Sequence, residues 1–367
     1  MNNTLKKEHI HLFARTIKVL MSKGYPEIKK VPLRKYPKSR HLDIYESKFA
    51  SLEINRVFQA SSVPELIRDK VLSEDLSKSL YYCFFLNHTK PKKDFIEILG
   101  QNLFVDFCKH GFIEGKVGGF RCLFRFVPAK MGIYVTSAFD RKLPNFTYLS
   151  YDSFIFARLL SGHITFKSKI ASILDYCCGV GYVGLEIKRD NDFLLGIDVN
   201  PYAVWNSKLN AVLNGHKNSD FICKAEPPKD RYFDIIICNP PYIFLPLSES
   251  NKIDSYGGEY GLELTLRFLE SLSKCLKIDS QCFMITRSPI ISGEDYLLKI
   301  LNEKFSYLCG EYFYLCDSLS DPSSHEERYG IEGYRQVFLK VFSKSNERQS
   351  GWIFHASEGD EKFRYAF

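Results

Sequence analysis

The chain lacks any run of about 18 uncharged apolar residues, so no membrane-spanning helix is expected from it. None of its eleven cysteines stands in Cys-x-x-Cys spacing, which argues against a zinc site. Histidines such as His110 and His216 show no ligand spacing either, so no metal is expected. The opening residues, Met1 to Glu8, carry no apolar stretch of the kind a signal peptide needs. Odd-numbered, scattered cysteines suggest reduced thiols, and hence a soluble, cytoplasmic protein. Cys177, Cys178, Cys223, Cys238 and Cys282 fall in or beside expected strands, where cysteine serves as a small apolar filler.

What is present fits a globular protein. With 367 residues, 45% hydrophobic and 25% charged, the chain can build two domains with their own cores. Charge is uneven. Residues 1–41 hold eleven Lys/Arg against Glu8 and Glu27, a net of +9, while the whole chain carries +7. The cluster Lys29–Arg40 interleaves cations with prolines and one tyrosine. Such a segment suits a phosphate backbone or an acidic surface, and equally a solvated connector.

Asn239-Pro240-Pro241-Tyr242 closes the apolar run Phe233–Cys238. Two prolines fix φ through the turn, so the asparagine amide and the neighbouring carbonyl are aimed with little flexing. The Asn239 side-chain oxygen and the Pro240 carbonyl can accept both N–H bonds of a planar amide or aromatic amine. Tyr242 offers a flat face, and base-on-aromatic stacking is worth roughly 1–3 kcal/mol. A surface Pro-Pro turn after a strand is the plain alternative. Upstream, Ile173–Gly184 reads as a short strand running into a turn that opens a helix, with Gly179, Gly181 and Gly184 in G-x-G-x-x-G register. Asp175, on that strand, can hold an ammonium group. A second apolar strand, Phe193–Asp198, ends in an acid able to accept from two ribose hydroxyls. Nicotinamide enzymes share the glycines and the acid. Hydride transfer, however, has no use for Asn-Pro-Pro-Tyr.

On these residues, the stretch from roughly Tyr148 to Phe342 resembles a class I S-adenosylmethionine-dependent methyltransferase of the amino-methylating branch. It is most similar to HemK-type release-factor glutamine methyltransferases, whose Gly-Gly-x-x-Gly-Leu segment is matched by Tyr256-Gly257-Gly258-Glu259-Tyr260-Gly261-Leu262-Glu263. The resemblance implies a Rossmann-like, doubly wound, mostly parallel seven-stranded sheet, with S-adenosylmethionine as donor and S-adenosylhomocysteine as product. Asn239, Pro240 and Tyr242 are then the catalytic candidates. Cofactor contacts fall to Asp175, Cys177, Gly179, Gly181, Asp198, Val199, Ala225, Glu226 and Asn239, and substrate contacts to Tyr151, Pro241 and Tyr242. The same fold and turn also serve ribosomal-RNA guanine and DNA adenine methyltransferases.

The pattern predicts three regions: residues 1–143, mainly helical and winged-helix-like, for substrate recognition or as a lid; 144–345, the methyltransferase domain; and 346–367, a loosely docked tail. In the first, helices are expected over 64–86, capped by Ser62, and over 94–110. A hairpin of 120–128 with 132–137 follows, with Arg121 and Arg125 on one face, either simply solvated or open to an anionic partner. Tyr151 or Asp152 can meet the methionine end of the donor, though Asp152 or Ser153 can equally cap a helix there. The second region alternates strand and helix: 172–176, 180–189, a strand ending at Asp198, 201–214, 221–224, 233–238, 262–276 and 281–286. Segments 310–316 and 335–342 then pair antiparallel. Such alternation gives a parallel sheet with ligands beyond the carboxyl ends of its strands. Residues 317–328 read as a long polar loop before the final strand, either one that shapes the substrate pocket or a plain crossing loop.

Three functions remain open on sequence. The first is N-methylation of a macromolecule, at a protein glutamine or a nucleobase amine. The second is N-methylation of a small molecule or amino acid in a biosynthetic pathway. The third is a binding module without chemistry.

Overall fold

The computed structural model describes residues 4–25, 75–138, 146–147, 149–228, 231–315, 320–343 and 352–355. The basic cluster at 29–40, Ser62, the first part of the helix expected from Pro64, and Leu143 lie outside the described residues. Two compact units are present: residues 1–151 with 205–217, and residues 152–204 with 218–367. Among the described residues, no helix is long and apolar enough to cross a membrane.

The first unit holds α1 (Lys7–Ser22), α2 (Asp75–Phe84), α3 (Lys92–Leu99) and α4 (Gln101–Lys109), then β1 (Ile113–Lys116), β2 (Gly119–Cys122), β3 (Phe124–Pro128) and β4 (Ile133–Ser137). α1, which the sequence pattern does not single out, buries Leu12, Phe13, Thr16 and Leu20 on one face. The single helix expected over 94–110 is two helices, because Gly100 sits at φ 77° between them, a conformation open to glycine at little cost. Two hairpins replace the one expected: β1 pairs with β2, and β3 with β4. The chain breaks at Leu123, whose N–H reaches the Phe112 carbonyl at 2.9 Å while its own carbonyl accepts from Ala138 N at 2.8 Å.

That break puts Arg121 and Arg125 in different strands, so the shared solvated face does not exist. Arg125 is buried; its Nε donates to the Phe85 carbonyl at 3.0 Å and its guanidinium lies 4.7 Å from the Phe85 ring centroid. Around it the core is aromatic. Phe13 lies 5.0 Å from Phe124 and 5.1 Å from Phe112, and Trp205 lies 5.8 Å from Phe124. Each such side chain contributes about 1.5–3 kcal/mol by leaving water. Asn210 acts as a stand-in strand neighbour for β4, accepting from Val135 N at 2.7 Å and donating to Val135 O at 2.9 Å.

The second unit carries α5 (Tyr151–His163), β5 (Ser172–Tyr176), α6 (Tyr182–Ile187), β6 (Phe193–Asp198), the start of α7 (Pro201–Leu213), β7 (Ser219–Cys223), β8 (Phe233–Cys238), α8 (Glu263–Ser271), β9 (Leu276–Ile291), β10 (Glu294–Asp295), α9 (Tyr296–Lys304), β11 (Leu308–Tyr314), α10 (Ser324–Glu327), β12 (Ile331–Ser343) and β13 (Trp352–His355). Its sheet runs β13-β11-β12-β9-β8-β5-β6-β7, with β10 paired to β9. Pairings among β7, β6, β5, β8 and β9 are parallel, and β12 joins β9 and β11 antiparallel. This is the doubly wound α/β fold expected, with seven core strands and an added edge. The strand order reverses direction between β5 and β8, which makes their carboxyl ends the switch point where ligands settle.

Three features depart furthest from expectation. β9 is far longer than 281–286, because β12 pairs along it from Cys282 to Ile291. α9 was not foreseen; Asp295 caps it, accepting from Leu298 N, and it buries Leu297, Ile300 and Leu301. The tail is not simply loose: β13 pairs parallel with β11, and a side chain at Gly310 would run into the Trp352 ring.

Candidate active site

The glycine turn and the Asn-Pro-Pro-Tyr turn leave neighbouring strand ends. Tyr176, last in β5, is paired with Cys238, last in β8, and with Ile197, the residue before Asp198. Asp198 in turn is paired with Cys223 at the end of β7. One rim of one sheet therefore collects the segments that start at Cys177, Asp198, Lys224 and Asn239.

The glycine turn is built tightly. Cys177 (φ 60°), Gly179 (φ 54°) and Gly181 (φ 78°) all take left-handed backbone, and Gly181 caps α6. Asp198 closes the turn: its Oδ2 accepts from Gly179 N at 2.9 Å and its Oδ1 from Asn200 N at 2.8 Å. Val199 N is a third backbone donor to the same carboxylate, and with about four lone-pair sites in all Asp198 keeps room for one further donor. Burial raises the Asp198 carboxyl pKa, and the backbone donors from Asn200 and Gly179 oppose that rise. At Gly196 a Cβ would collide with the Phe221 ring, so β6 has to carry glycine where the turn folds over it.

Asp175 is buried and accepts from Gly184 N at 3.1 Å. Burial pushes its carboxyl up to about 8, with the Gly184 bond pulling down and the Asp198 charge pushing further up. The folded state therefore binds a proton that the unfolded chain releases near pH 4, and stability falls as pH rises from about 4 towards 8. Asp175→Asn keeps an acceptor for Gly184 N and removes the titration. In thermal melts of the ligand-free protein, wild type should lose more stability than Asp175→Asn between pH 5 and pH 8. Parallel curves would contradict this origin of the shift.

The remaining cofactor candidates lie along the rim in varied states. Cys177 and Gly179 are half-buried, and Val199 is exposed. The Ala225 carbonyl accepts the Tyr176 hydroxyl at 2.6 Å, and Glu226, exposed, pairs with Lys274 at 3.4 Å.

At the second turn, Asn239 and Tyr242 are half-buried and Pro240 is buried. Residues expected only to cap a helix or meet the donor touch both: Asp152 Oδ2 accepts the Tyr242 hydroxyl, and Ser153 Oγ accepts from Asn239 Nδ2 at 3.4 Å. Arg287, on β9, lies 5.6 Å from the Tyr242 ring centroid; its place on an apolar strand gave no sequence signal. The side chain of Tyr151 is outside the described residues.

The Tyr256–Glu263 segment wraps the backbone that follows Tyr242. Ile243 N donates to Ser255 O at 2.9 Å, and Gly257 N to Ile243 O at 2.8 Å. A Cβ on Gly257 would stand 2.7 Å from Tyr242 Cα and 2.8 Å from Gly261 O, and one on Gly261 would strike the Tyr242 carbonyl. The polar stretch before β12 joins from the other side. His325 and Tyr329 rings lie 4.8 and 4.9 Å from Phe244, so this segment packs beside the turn instead of merely crossing.

Residues 155–251 match the family model of the methyltransferase small domain. A chain of Methanocaldococcus jannaschii named for protein N5-glutamine methyltransferase activity is 37% identical over 126 residues, covering 32% of this chain and 62% of that one. A human tRNA (uracil-5-)-methyltransferase homolog B is 35% identical over 60 residues, or 16% of this chain and 12% of that protein. The chain thus spans less than two thirds of these relatives. Among solved structures, Trm5b of Pyrococcus abyssi aligns with TM-score 0.40 at 13% identity over 75% of this chain and 78% of that one.

Proposed function

We propose that this chain, whose matched segment is a class I S-adenosylmethionine-dependent methyltransferase domain, methylates a planar amide or amino nitrogen of a macromolecule, either a protein glutamine or a nucleobase amine. The carrying observation is the pairing of Tyr176 with Cys238, which sets the glycine turn and Asn-Pro-Pro-Tyr side by side. In this reading residues 1–143 recognise the acceptor, and the reaction takes place in the cytoplasm.

The residues fit S-adenosylmethionine by their chemistry. Asp198 offers an acceptor site for a ribose hydroxyl, Asp175 a carboxyl for the ammonium, and the glycine turn a close backbone approach. Cys177, Gly179, Gly181, Val199, Ala225 and Glu226 lie along the same rim. When bound, the donor supplies an electrophilic sulfonium methyl. The protein's part is then alignment, which can contribute roughly 7–11 kcal/mol. Asn239 Oδ1 and the Pro240 carbonyl hold the two N–H bonds of the acceptor, keep its lone pair directed, and stabilise the charge the nitrogen gains. Pro241 and Tyr242 wall the acceptor plane. As the N–C bond formed and the donor's S–CH₃ bond broke, leaving S-adenosylhomocysteine, the nitrogen would shed one proton along a bond already made to these oxygens, and water would take it up.

Incubation with methyl-labelled S-adenosylmethionine and a fractionated lysate tests this. Label should enter protein or nucleic acid. Label confined to small molecules, or none at all, contradicts it. Asp198→Ala removes a charged acceptor, an interaction worth about 1.5–3 kcal/mol, so S-adenosylhomocysteine should bind about 10- to 100-fold more weakly by calorimetry. Unchanged affinity would mean that Asp198 does not hold the ribose.

A further inference from the structure

Resting on the methyltransferase reading, we infer that Asp152 and Ser153, in the first turn of α5, are positioning residues that set the orientation of the two working side chains of the Asn-Pro-Pro-Tyr turn. Successive helical residues point about 100° apart, so two neighbours on one helical turn can reach two separate points of a facing loop. Here they do. Asp152 accepts the Tyr242 hydroxyl, and Ser153 accepts from Asn239 Nδ2.

In the structure the Ser153 hydroxyl accepts from the nitrogen end of the Asn239 amide, which turns the oxygen end to the acceptor. An asparagine amide has an oxygen that accepts and a nitrogen that donates, nearly identical in shape. Only the oxygen is useful for gripping an N–H of the acceptor; the flipped amide would present two donors to it. With Nδ2 tied to the Ser153 hydroxyl at 3.4 Å, Oδ1 is the end left to the acceptor. Ser153 is itself buried, so water does not readily take its place. The Asp152 contact fixes the other wall. Tyr242 is gripped at its hydroxyl by Asp152, and the Arg287 guanidinium lies 5.6 Å from its ring centroid, within cation–π range. A ring held at its tip and faced by a cation has little freedom to swing, so the flat surface offered to the acceptor is defined before anything binds.

The variants are Ser153→Ala, Ser153→Thr, Asp152→Ala and Asp152→Asn. Their kcat is read with labelled S-adenosylmethionine and whichever lysate fraction wild type labels; their affinity for S-adenosylhomocysteine is read by calorimetry. Losing one hydrogen bond that orients a reacting group should lower kcat about 5- to 10-fold for Ser153→Ala, and about 10- to 100-fold for Asp152→Ala, because misplacing a reactant is amplified in the rate. Threonine keeps the hydroxyl and asparagine keeps an acceptor, so both conservative variants should recover most of the loss. Cofactor affinity should stay within about 2-fold throughout. A residue that merely braced the fold would lower the melting temperature without this rescue pattern, and a residue that touched the donor would weaken S-adenosylhomocysteine.

An acceptor-free measurement stands beside these. In protein labelled with ¹⁵N-asparagine, the Asn239 side-chain NH₂ pair, identified by its loss in Asn239→Ala, should move in Ser153→Ala and stay near place in Ser153→Thr. An unmoved pair in Ser153→Ala, or wild-type kcat in both alanine variants, overturns the inference. If wild type labels no fraction while the NH₂ pair responds as expected, the methyltransferase reading has failed but the Ser153 contact stands.

Discussion

Asn239→Ala should remove turnover while leaving S-adenosylhomocysteine affinity close to wild type. The asparagine supplies one of the two oxygens aimed at the acceptor nitrogen, and loss of one such preorganised group costs about 10²–10³ in kcat. The effect should sit mainly in kcat, because all the donor contacts but that of Asn239 itself are assigned to the ends of β5, β6 and β7, whereas Asn239 leaves β8. Steady-state kinetics with a labelled donor, paired with calorimetry, separates the two. Asn239→Ala with wild-type kcat would remove the residue from the chemistry. A collapse of affinity along with kcat would show that it holds the donor as well.

Gly257→Ala should be nearly as damaging, although its added methyl touches no ligand. That Cβ would stand 2.7 Å from Tyr242 Cα, 2.9 Å from Tyr242 C and 2.8 Å from Gly261 O. All three are backbone atoms, which cannot swing aside as the end of a long side chain can. The Tyr242 backbone must move, and a displacement near 1 Å at a reacting site can cost about 10²-fold in rate. Overpacking of this kind also destabilises, typically by about 1–3 kcal/mol, so a lower melting temperature should accompany the lost rate. Gly162→Ala in α5 is the matched control. Nothing lies within 4 Å of its Cβ, and relieving a helical glycine should be neutral or stabilising by up to about 1 kcal/mol. Full activity in Gly257→Ala would mean that the glycine segment does not set the position of Tyr242.

The parts of the fold visible in the sequence were those where one local rule decides. β5 and β8 begin and end at the predicted residues, because an apolar run bounded by Gly-Val-Gly or by Pro-Pro has few other ways to fold. The backbone of the candidate site was legible for the same reason: the glycines and Asn-Pro-Pro-Tyr carry their geometry in their own dihedral limits. What escaped depends on partners far along the chain. The length of β9 follows from β12 pairing alongside it. Arg125 reads as a surface cation until a break at Leu123 turns it inward to the Phe85 carbonyl. Gly100 looks tolerable inside a helix pattern, yet its φ of 77° divides that helix. Ser153 and Asp152 were visible as helix-capping residue types, but only the packing of α5 beside the β8 turn gives them Asn239 and Tyr242 as partners.

Methyl transfer at this site requires a donor lying across the ends of β5 and β6 with its reacting sulfur turned to the β8 turn. A crystal structure of the protein with S-adenosylhomocysteine tests that directly. A ribose hydroxyl should lie on Asp198, the backbone of the glycine turn against the ligand, and the sulfur towards Asn239. Ligand found elsewhere on the molecule, or seated at the glycine turn with its sulfur directed away from Asn239, would contradict it.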